Sequence, residues 1–305
     1  PCRDPAEQNR YLTAQLRDYH AQGYAYEQMA ILFRTNLGIR FVMDALMKGG
    51  IPFHMKDAIP NLFAHWISLD IIAYLRLVSG TGNTRANWLR IMNRPNRYIK
   101  REALAPFTSD ISVAQLKAYY QDKDWMLERL DRLEYDLSIM KRMSPYAAIH
   151  YLSNAMKYQD YLKDYAKEHH INEQELLDVL NAVHESSQSC RTFAEWFTYI
   201  DTYTEELQKQ AKSPASKDAN NESGVCLCTL HCAKGLEYTI VFIPDINEDN
   251  IPHARAAVDA DLEEERRLFY VGITRAKEHL HLYCVGEASG KEKFPSRFLE
   301  ELNEM

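Results

Sequence analysis

The chain has 305 residues, 46% of them hydrophobic and 26% charged, the profile of an ordinary soluble globular protein long enough for two domains. A net charge of −7 excludes a protein coated in positive charge but not local phosphate contacts. No apolar run approaches the roughly 18 residues of a membrane span, no secretory leader opens the chain, and the 6 cysteines follow no small-secreted-domain pattern, so reduced thiols in a cytoplasm are expected. Pro1 is not an initiator, and the chain reads as a segment of a longer protein.

Taken in chain order, Glu7 to His20 carries Tyr11, Leu12, Leu16 and Tyr19 near a helical period, and Gly23 closes that helix. Met29-Ala30-Ile31-Leu32-Phe33 is a short apolar run between polar residues, which predicts a buried strand with Arg34-Thr35-Asn36 at its carboxyl end. Ile39 to Lys48 reads as a helix ended by Gly49-Gly50, and Ile51-Pro52-Phe53-His54 starts a second strand. A strand–helix–strand unit of this kind implies a parallel sheet.

From about residue 58 helical patterns dominate: Leu69 to Val78, Trp88 to Met92, Val113 to Tyr120, Trp125 to Met143, Tyr146 to Asn154, and further helices to Gln210. Ala211 to Gly224 is a flexible linker by composition. Strand patterns return at Val225, at Ile240 to Ile243 and at His279 to Cys284. The economical reading is one α/β domain split by a helical insertion, with segments 1–57 and 219–305 forming one sheet and 58–218 the insertion.

Two motifs carry chemistry. Thr229-Leu230-His231-Cys232-Ala233-Lys234-Gly235-Leu236-Glu237 joins two strand patterns. Such a turn is expected to present hydroxyl, imidazole, ammonium, bare backbone and carboxylate on one edge of a sheet, where open α/β sheets bind ligands. Some thirty residues on comes Leu262-Glu263-Glu264-Glu265-Arg266-Arg267-Leu268-Phe269-Tyr270-Val271-Gly272-Ile273-Thr274-Arg275-Ala276-Lys277. The pair resembles the last two motifs of the UvrD/Rep-type superfamily 1 DNA helicases, T-[IL]-H-x-A-K-G-L-E and L-E-E-E-R-R-L-x-Y-V-[AG]-[IV]-T-R-A, in the right order and at about the right spacing. Ile31 to Asn36, Gly50-Ile51-Pro52-Phe53, Ile71 to Leu77 and Pro295-Ser296-Arg297-Phe298-Leu299 extend the likeness over nearly the whole chain.

The resemblance implies a RecA-like parallel sheet flanked by helices, a P-loop NTPase-type fold without its P-loop, interrupted by a mobile helical subdomain. It implies the C-terminal portion of an ATP-dependent 3′-to-5′ DNA helicase working in repair or replication. Arg275 would be the arginine that reaches the γ-phosphate across a domain cleft, a role that suits the guanidinium fork. Glu237 would accept hydrogen bonds from the ribose, and Gly235 would let backbone approach the nucleotide. Arg34, Asn36, Thr229, His231 and Lys234 would line the single-strand track, where backbone contacts need no base readout. The bland alternatives are a surface arginine paired with Glu263–Glu265, a solvated strand-edge acid, a capping histidine and a turn asparagine.

Arg85 to Arg101 holds six basic residues and no acid, with Trp88 and Tyr98 interleaved. It is either a solvated helix face or a duplex grip. The family has P-x-R-x-I-G here; this chain has Pro95-Asn96-Arg97-Tyr98-Ile99-Lys100, so Arg97 and Lys100 are candidate duplex contacts, with a lysine in place of the closing glycine. Gly286 to Lys291 lacks the aromatic–Gly pair on which a base stacks in many family members, so one stacking contact is expected to be missing. Cys226, Cys228, His231 and Cys232 invite a zinc reading, but two thiols on one strand face fit apolar packing better than paired knuckles, and no metal site is expected.

There is no G-x-x-x-x-G-K-[ST] in the chain; Ser79 to Thr84 is glycine-rich but lacks the lysine and follows a helix. The family's Asp-Glu magnesium motif, its Gln-x-Tyr-Arg segment and its adenine-stacking aromatic are absent too. ATP and Mg2+ are therefore expected in a cleft shared with an N-terminal motor domain, single-stranded and junction DNA are the expected partners, and the fragment alone is expected to be inactive. The alternatives are a non-catalytic DNA-binding or adaptor module and the helicase half of a helicase–nuclease. The oligomeric state stays open.

Overall fold

The computed structural model describes residues 1–56, 60–81, 84–107, 111–212, 224–253, 256, 259–288 and 291–303. The chain divides into two compact units, residues 1–60 with 207–305, and residues 61–206.

The first unit is built on five parallel strands: β1 (Met29–Phe33), β2 (Phe53–Met55), β3 (Val225–Thr229), β4 (Tyr238–Ile243) and β5 (Ala276–Leu282), in the order β2-β3-β1-β4-β5. β1 is central and all five of its residues are buried, as the continuous apolar run requires of a parallel strand covered on both faces. Ala30, Leu32, Cys226, Cys228, Val241 and Ile243 pack on one face with Phe269 and Phe298. These two phenylalanines come from α11 (Asp259–Ile273) and α12 (Arg297–Asn303). Tyr19 meets Phe242 on the other face at 6.4 Å between ring centroids. It belongs to α1 (Pro5–Ala21), which starts on an Asp4 cap with Pro5 in its first turn. The fold is thus the α/β, RecA-like parallel sheet flanked by helices.

α2 (Asn36–Gly49) begins three residues before the predicted Ile39, because β1 runs into it through Arg34-Thr35 alone. β5 likewise begins at Ala276 rather than His279, directly after α11 and the Thr274-Arg275 turn. β2 (Phe53–Met55) begins at Phe53 rather than at Ile51, since Pro52 has no N–H to give a ladder. A small antiparallel pair, β6 (Glu287–Ala288) with β7 (Lys291–Glu292), lies in a segment whose sequence carries no strand pattern.

Among the described residues the second unit contains helices and no named strand. α3 (Trp66–Ser79) is its centre, with Ile67, Ser68, Ile71, Tyr74 and Leu75 fully buried. Around it lie α4 (Thr84–Ile91), α5 (Val113–Tyr119), α6 (Asp124–Met140), α7 (Pro145–Asn154), α8 (Tyr158–His169), α9 (Glu173–Ser186) and α10 (Phe193–Lys212). Buried Asp70 of α3 receives Arg90 Nη1 at 3.1 Å, Arg94 Nη1 at 2.9 Å and the Tyr158 hydroxyl at 2.9 Å. Charge at that depth is tolerated because it is paired and hydrogen-bonded. The unit boundary at 206/207 falls inside α10 rather than in the linker composition that follows; Ser213 to Ser223 lies outside the described residues. No helix among the described residues is long and apolar enough to cross a membrane.

Candidate functional site

β1 and β3 are neighbours, with Phe33 opposite Thr229 at their carboxyl ends. The Leu230 amide donates to the Phe33 carbonyl at 2.8 Å, extending the ladder one residue beyond the strands. The register therefore brings Arg34-Thr35-Asn36 and Thr229-Leu230-His231 to one strand-end edge. Thr229 is half-buried and its Oγ1 accepts from the Cys232 amide at 3.4 Å, while His231 is exposed. Asn36 opens α2 with Thr35 as its N-cap; the Asn36 side chain lies outside the described residues.

The expectation that the whole turn sits on one edge is overturned. β3 and β4 both run parallel to β1, so residues 230–237 have to travel from the carboxyl edge of the sheet to its amino edge. Leu230 and Ala233 are fully buried along this path, which leaves Lys234 exposed midway and Gly235 and Glu237 exposed beside the start of β4. Gly235 has φ +82 and open space where a Cβ would stand, a conformation that favours glycine. A second glycine permits the packing over this crossover: a Cβ on Gly272 of α11 would lie 2.4 Å from Leu230 Cδ2.

Arg275 meets the amino-edge half of the crossover. Its Nη1 donates to the Leu236 carbonyl at 3.0 Å, its Nε to the Val271 carbonyl at 2.9 Å and its Nη2 to Thr274 Oγ1 at 3.0 Å. The Tyr238 amide donates to the Arg275 carbonyl at 2.9 Å. A guanidinium carries five N–H donors, so these three bonds fix its plane and leave donors for an anion. Among the described residues Arg275 shows no ion pair with Glu263–Glu265, the bland alternative for this arginine; those acids pair with Arg266, Arg267 and Arg34. Glu237 pairs with Lys277 at 3.2 Å, both well exposed.

The acidic run is engaged elsewhere. Glu265 takes a two-pronged bond from Arg34, Nε to Oε2 at 2.8 Å and Nη2 to Oε1 at 2.5 Å, and a third from the His253 amide at 3.0 Å. Burial works against the charge on Glu265, but the bonds from Arg34 and His253 outweigh it and hold the carboxyl below its usual range. Arg34 thus sits at the proposed track with its fork turned onto α11. Sequence reading took Glu265 only as part of the Glu263–Glu265 run offered to Arg275, not as the partner of Arg34, although Leu262, Glu265 and Phe269 share a helical stripe and a carboxylate in such a stripe needs a partner. It also passed over Arg40, 3% exposed on α2, whose guanidinium lies 4.2 Å from the Phe41 ring centroid.

The remaining candidates lie in the helical unit. Arg97 is half-buried and its Nη1 donates to the carbonyls of Ile91 at 3.1 Å and Pro95 at 3.2 Å. Lys100 is exposed, and its amide donates to the Tyr120 hydroxyl at 2.7 Å. Lys100 has an extended backbone, φ −76 and ψ 144, so the lysine occupies the position of the family glycine without strain. Cys226 and Cys228 are buried within β3, where the Tyr238 hydroxyl donates to Cys226 Sγ at 3.0 Å; Cys232 is exposed beyond the strand. Among the described residues no three His, Cys, Asp or Glu side chains gather as a metal site. Ser289 and Gly290, in the segment read as lacking a stacking aromatic, lie outside the described residues.

Comparison with known proteins adds family and extent. The family model described as the UvrD-like helicase C-terminal domain matches residues 3–286. The chain is 28% identical over 311 residues to YjcD of Bacillus subtilis (strain 168), provisionally named an ATP-dependent DNA helicase, covering 98% of this chain and 39% of that protein. It is 28% identical over 327 residues to the ATP-dependent DNA helicase PcrA of Staphylococcus epidermidis (RP62A) and equally to that of Staphylococcus aureus (Mu50), covering 99% of this chain and 43% of each. The chain thus spans about two-fifths of the length of these relatives.

Proposed function

Since the chain belongs to the UvrD-like helicase C-terminal domain family, we propose that it is the second motor domain, with its helical insertion, of an ATP-dependent DNA helicase that moves 3′ to 5′ along single-stranded DNA in repair or replication. The observation that carries the proposal is the crossover at residues 229–237. One continuous segment begins with Thr229 and His231 at the carboxyl edge and ends with Gly235 and Glu237 at the amino edge beside Arg275.

Bound ATP would supply the phosphoanhydride whose hydrolysis drives movement. The exposed carboxylate of Glu237 suits a ribose hydroxyl, and the bare backbone of Gly235 suits close approach. Arg275 offers charge in a fixed plane to the oxygens on which negative charge develops during phosphoryl transfer. The phosphate cradle and the Mg2+ ligands belong to an N-terminal motor domain, because this sequence holds no Walker lysine motif. At the other edge Thr229, His231 and Asn36 contact the DNA backbone, with Lys234 between the edges; Arg97 and Lys100 serve the duplex from the helical unit. Leu230 and Ala233, buried between the two ends, join the DNA-facing and nucleotide-facing halves in one short segment.

The test is turnover with and without the partner half. The purified chain hydrolyses no ATP with or without single-stranded DNA, and joined to its N-terminal half it shows DNA-stimulated hydrolysis. DNA-stimulated turnover by the chain alone overturns this division of labour.

A further inference from the structure

The helical unit exposes an aromatic ladder that the helicase reading does not use. Tyr98 is 59% exposed and Trp125 50% exposed. The Arg129 guanidinium lies between them, 4.9 Å from the Tyr98 ring centroid and 5.1 Å from that of Trp125. Arg129 and Trp125 are four residues apart on α6, hence on one helix face. Tyr98 comes from the separate loop that follows α4.

That loop is built to hold Tyr98 outward. Tyr98 has φ +59, a left-handed backbone that a bulky side chain seldom adopts. Asn93 Oδ1 accepts from the Ile99 amide at 2.9 Å and the Arg97 amide at 3.3 Å, and its Nδ2 donates to the Ile99 carbonyl at 2.9 Å. Asn96 Oδ1 accepts from the Tyr98 amide at 3.1 Å. Arg97 braces the same loop through two carbonyls. A strained aromatic, over-determined by its surroundings and left in water, points to function rather than packing.

Charge selects the class of ligand. On the loop side, Lys100 and Arg101 are exposed and no acid lies between Arg85 and Arg101, with exposed Glu102 following; on the helix side Lys123 is exposed, beside Asp122, Asp124 and Glu128. Cationic charge thus lies along the loop and an aromatic–guanidinium stack at its end. Stacked rings beside phosphate-binding cations are the apparatus of single-stranded nucleic-acid binding, where each base offers a π-face.

We propose that the Tyr98–Arg129–Trp125 ladder is a base-stacking platform that receives an unpaired base of a DNA strand while Lys100 and Arg101 hold the flanking phosphates. This rests on the DNA-binding reading above and extends its contact at the Arg97–Lys100 loop with a stacking surface for an unpaired base. Trp125 is itself the probe, because of the four tryptophans Trp88 and Trp196 are at most 2% exposed and Trp66 is half-buried.

The experiment titrates the full chain with a duplex carrying a single-stranded tail at fixed salt, following tryptophan emission and, separately, anisotropy of labelled DNA. The expected result is quenching on binding that disappears in Trp125→Phe with affinity largely kept. Tyr98→Ala and Arg129→Ala weaken binding about tenfold each, as loss of one stacking contact does. The inference is overturned if Trp125→Phe quenches like the wild type, or if Tyr98→Ala, Arg129→Ala and Trp125→Ala all bind as tightly as the wild type. In that case, with His231→Ala still weakening binding, the helicase reading stands without the stacking platform. Absence of binding by the wild-type chain removes both.

Discussion

The bond between Arg34 and Glu265 ties the end of β1 to α11, and its removal has a calculable cost. Arg34 keeps 17% and Glu265 11% of their side-chain exposure, close to the buried limit but not at it. Breaking a fully buried pair from one side costs about 3–5 kcal/mol, and exposed pairs are worth about 0–1 kcal/mol. Weighting for the remaining exposure puts Glu265→Ala at about 2–3 kcal/mol. The double variant Arg34→Met with Glu265→Leu is expected to lose under about 1 kcal/mol, because apolar groups of similar size replace such pairs almost neutrally.

All four tryptophans lie in the helical unit, so fluorescence does not see this site. Amide hydrogen exchange of β1 and β3, read in the wild type, Arg34→Met, Glu265→Leu and the double variant, with Glu265→Ala beside them, is the appropriate assay. The pair also sets a pH dependence. The folded-state pKa of Glu265 is depressed, so its contribution is fully present above the ordinary carboxylate range and is lost as pH falls through the folded value. The difference between wild type and Glu265→Gln should accordingly shrink in acid. Unchanged exchange in Glu265→Ala, or a double variant as damaged as the sum of the single ones, would refute the reasoning.

Two further outcomes follow from the geometry. Asp70→Ala strips the partner from the Tyr158 hydroxyl and from two guanidinium groups, and should lower the urea midpoint of tryptophan fluorescence by the equivalent of about 3 kcal/mol; a loss under about 1 kcal/mol contradicts the central role given to Asp70. Glu237→Gln removes an exposed pair with Lys277, so stability should change by less than about 0.5 kcal/mol while nucleotide affinity of the complete protein falls. A marked stability loss without an affinity change would make Glu237 structural.

The strands and motifs were legible in the sequence because their signals are local. β1 was read to the residue from five apolar positions, and the family was read from two uninterrupted motifs. What escaped depends on topology. Nothing in Thr229 to Glu237 says that the segment crosses the sheet; that follows only from both flanking strands running parallel to β1. Arg34 looks like a free strand-end cation until α11, more than two hundred residues on, brings Glu265 to it. Lys100, which stands where the family has a glycine, keeps an extended backbone, and it is Tyr98 of the same loop that is left-handed.

The most direct test is the role of Arg275. In the helicase proposed above, with an N-terminal motor domain joined to this chain, Arg275→Ala should reduce the DNA-stimulated rate of ATP hydrolysis by about 10³-fold or more. Because the side chain is only half-buried and its bonds go to neighbouring backbone and Thr274, fold and DNA affinity should persist. Undiminished hydrolysis in that variant would contradict the assignment of Arg275 and the two-edged crossover built around it.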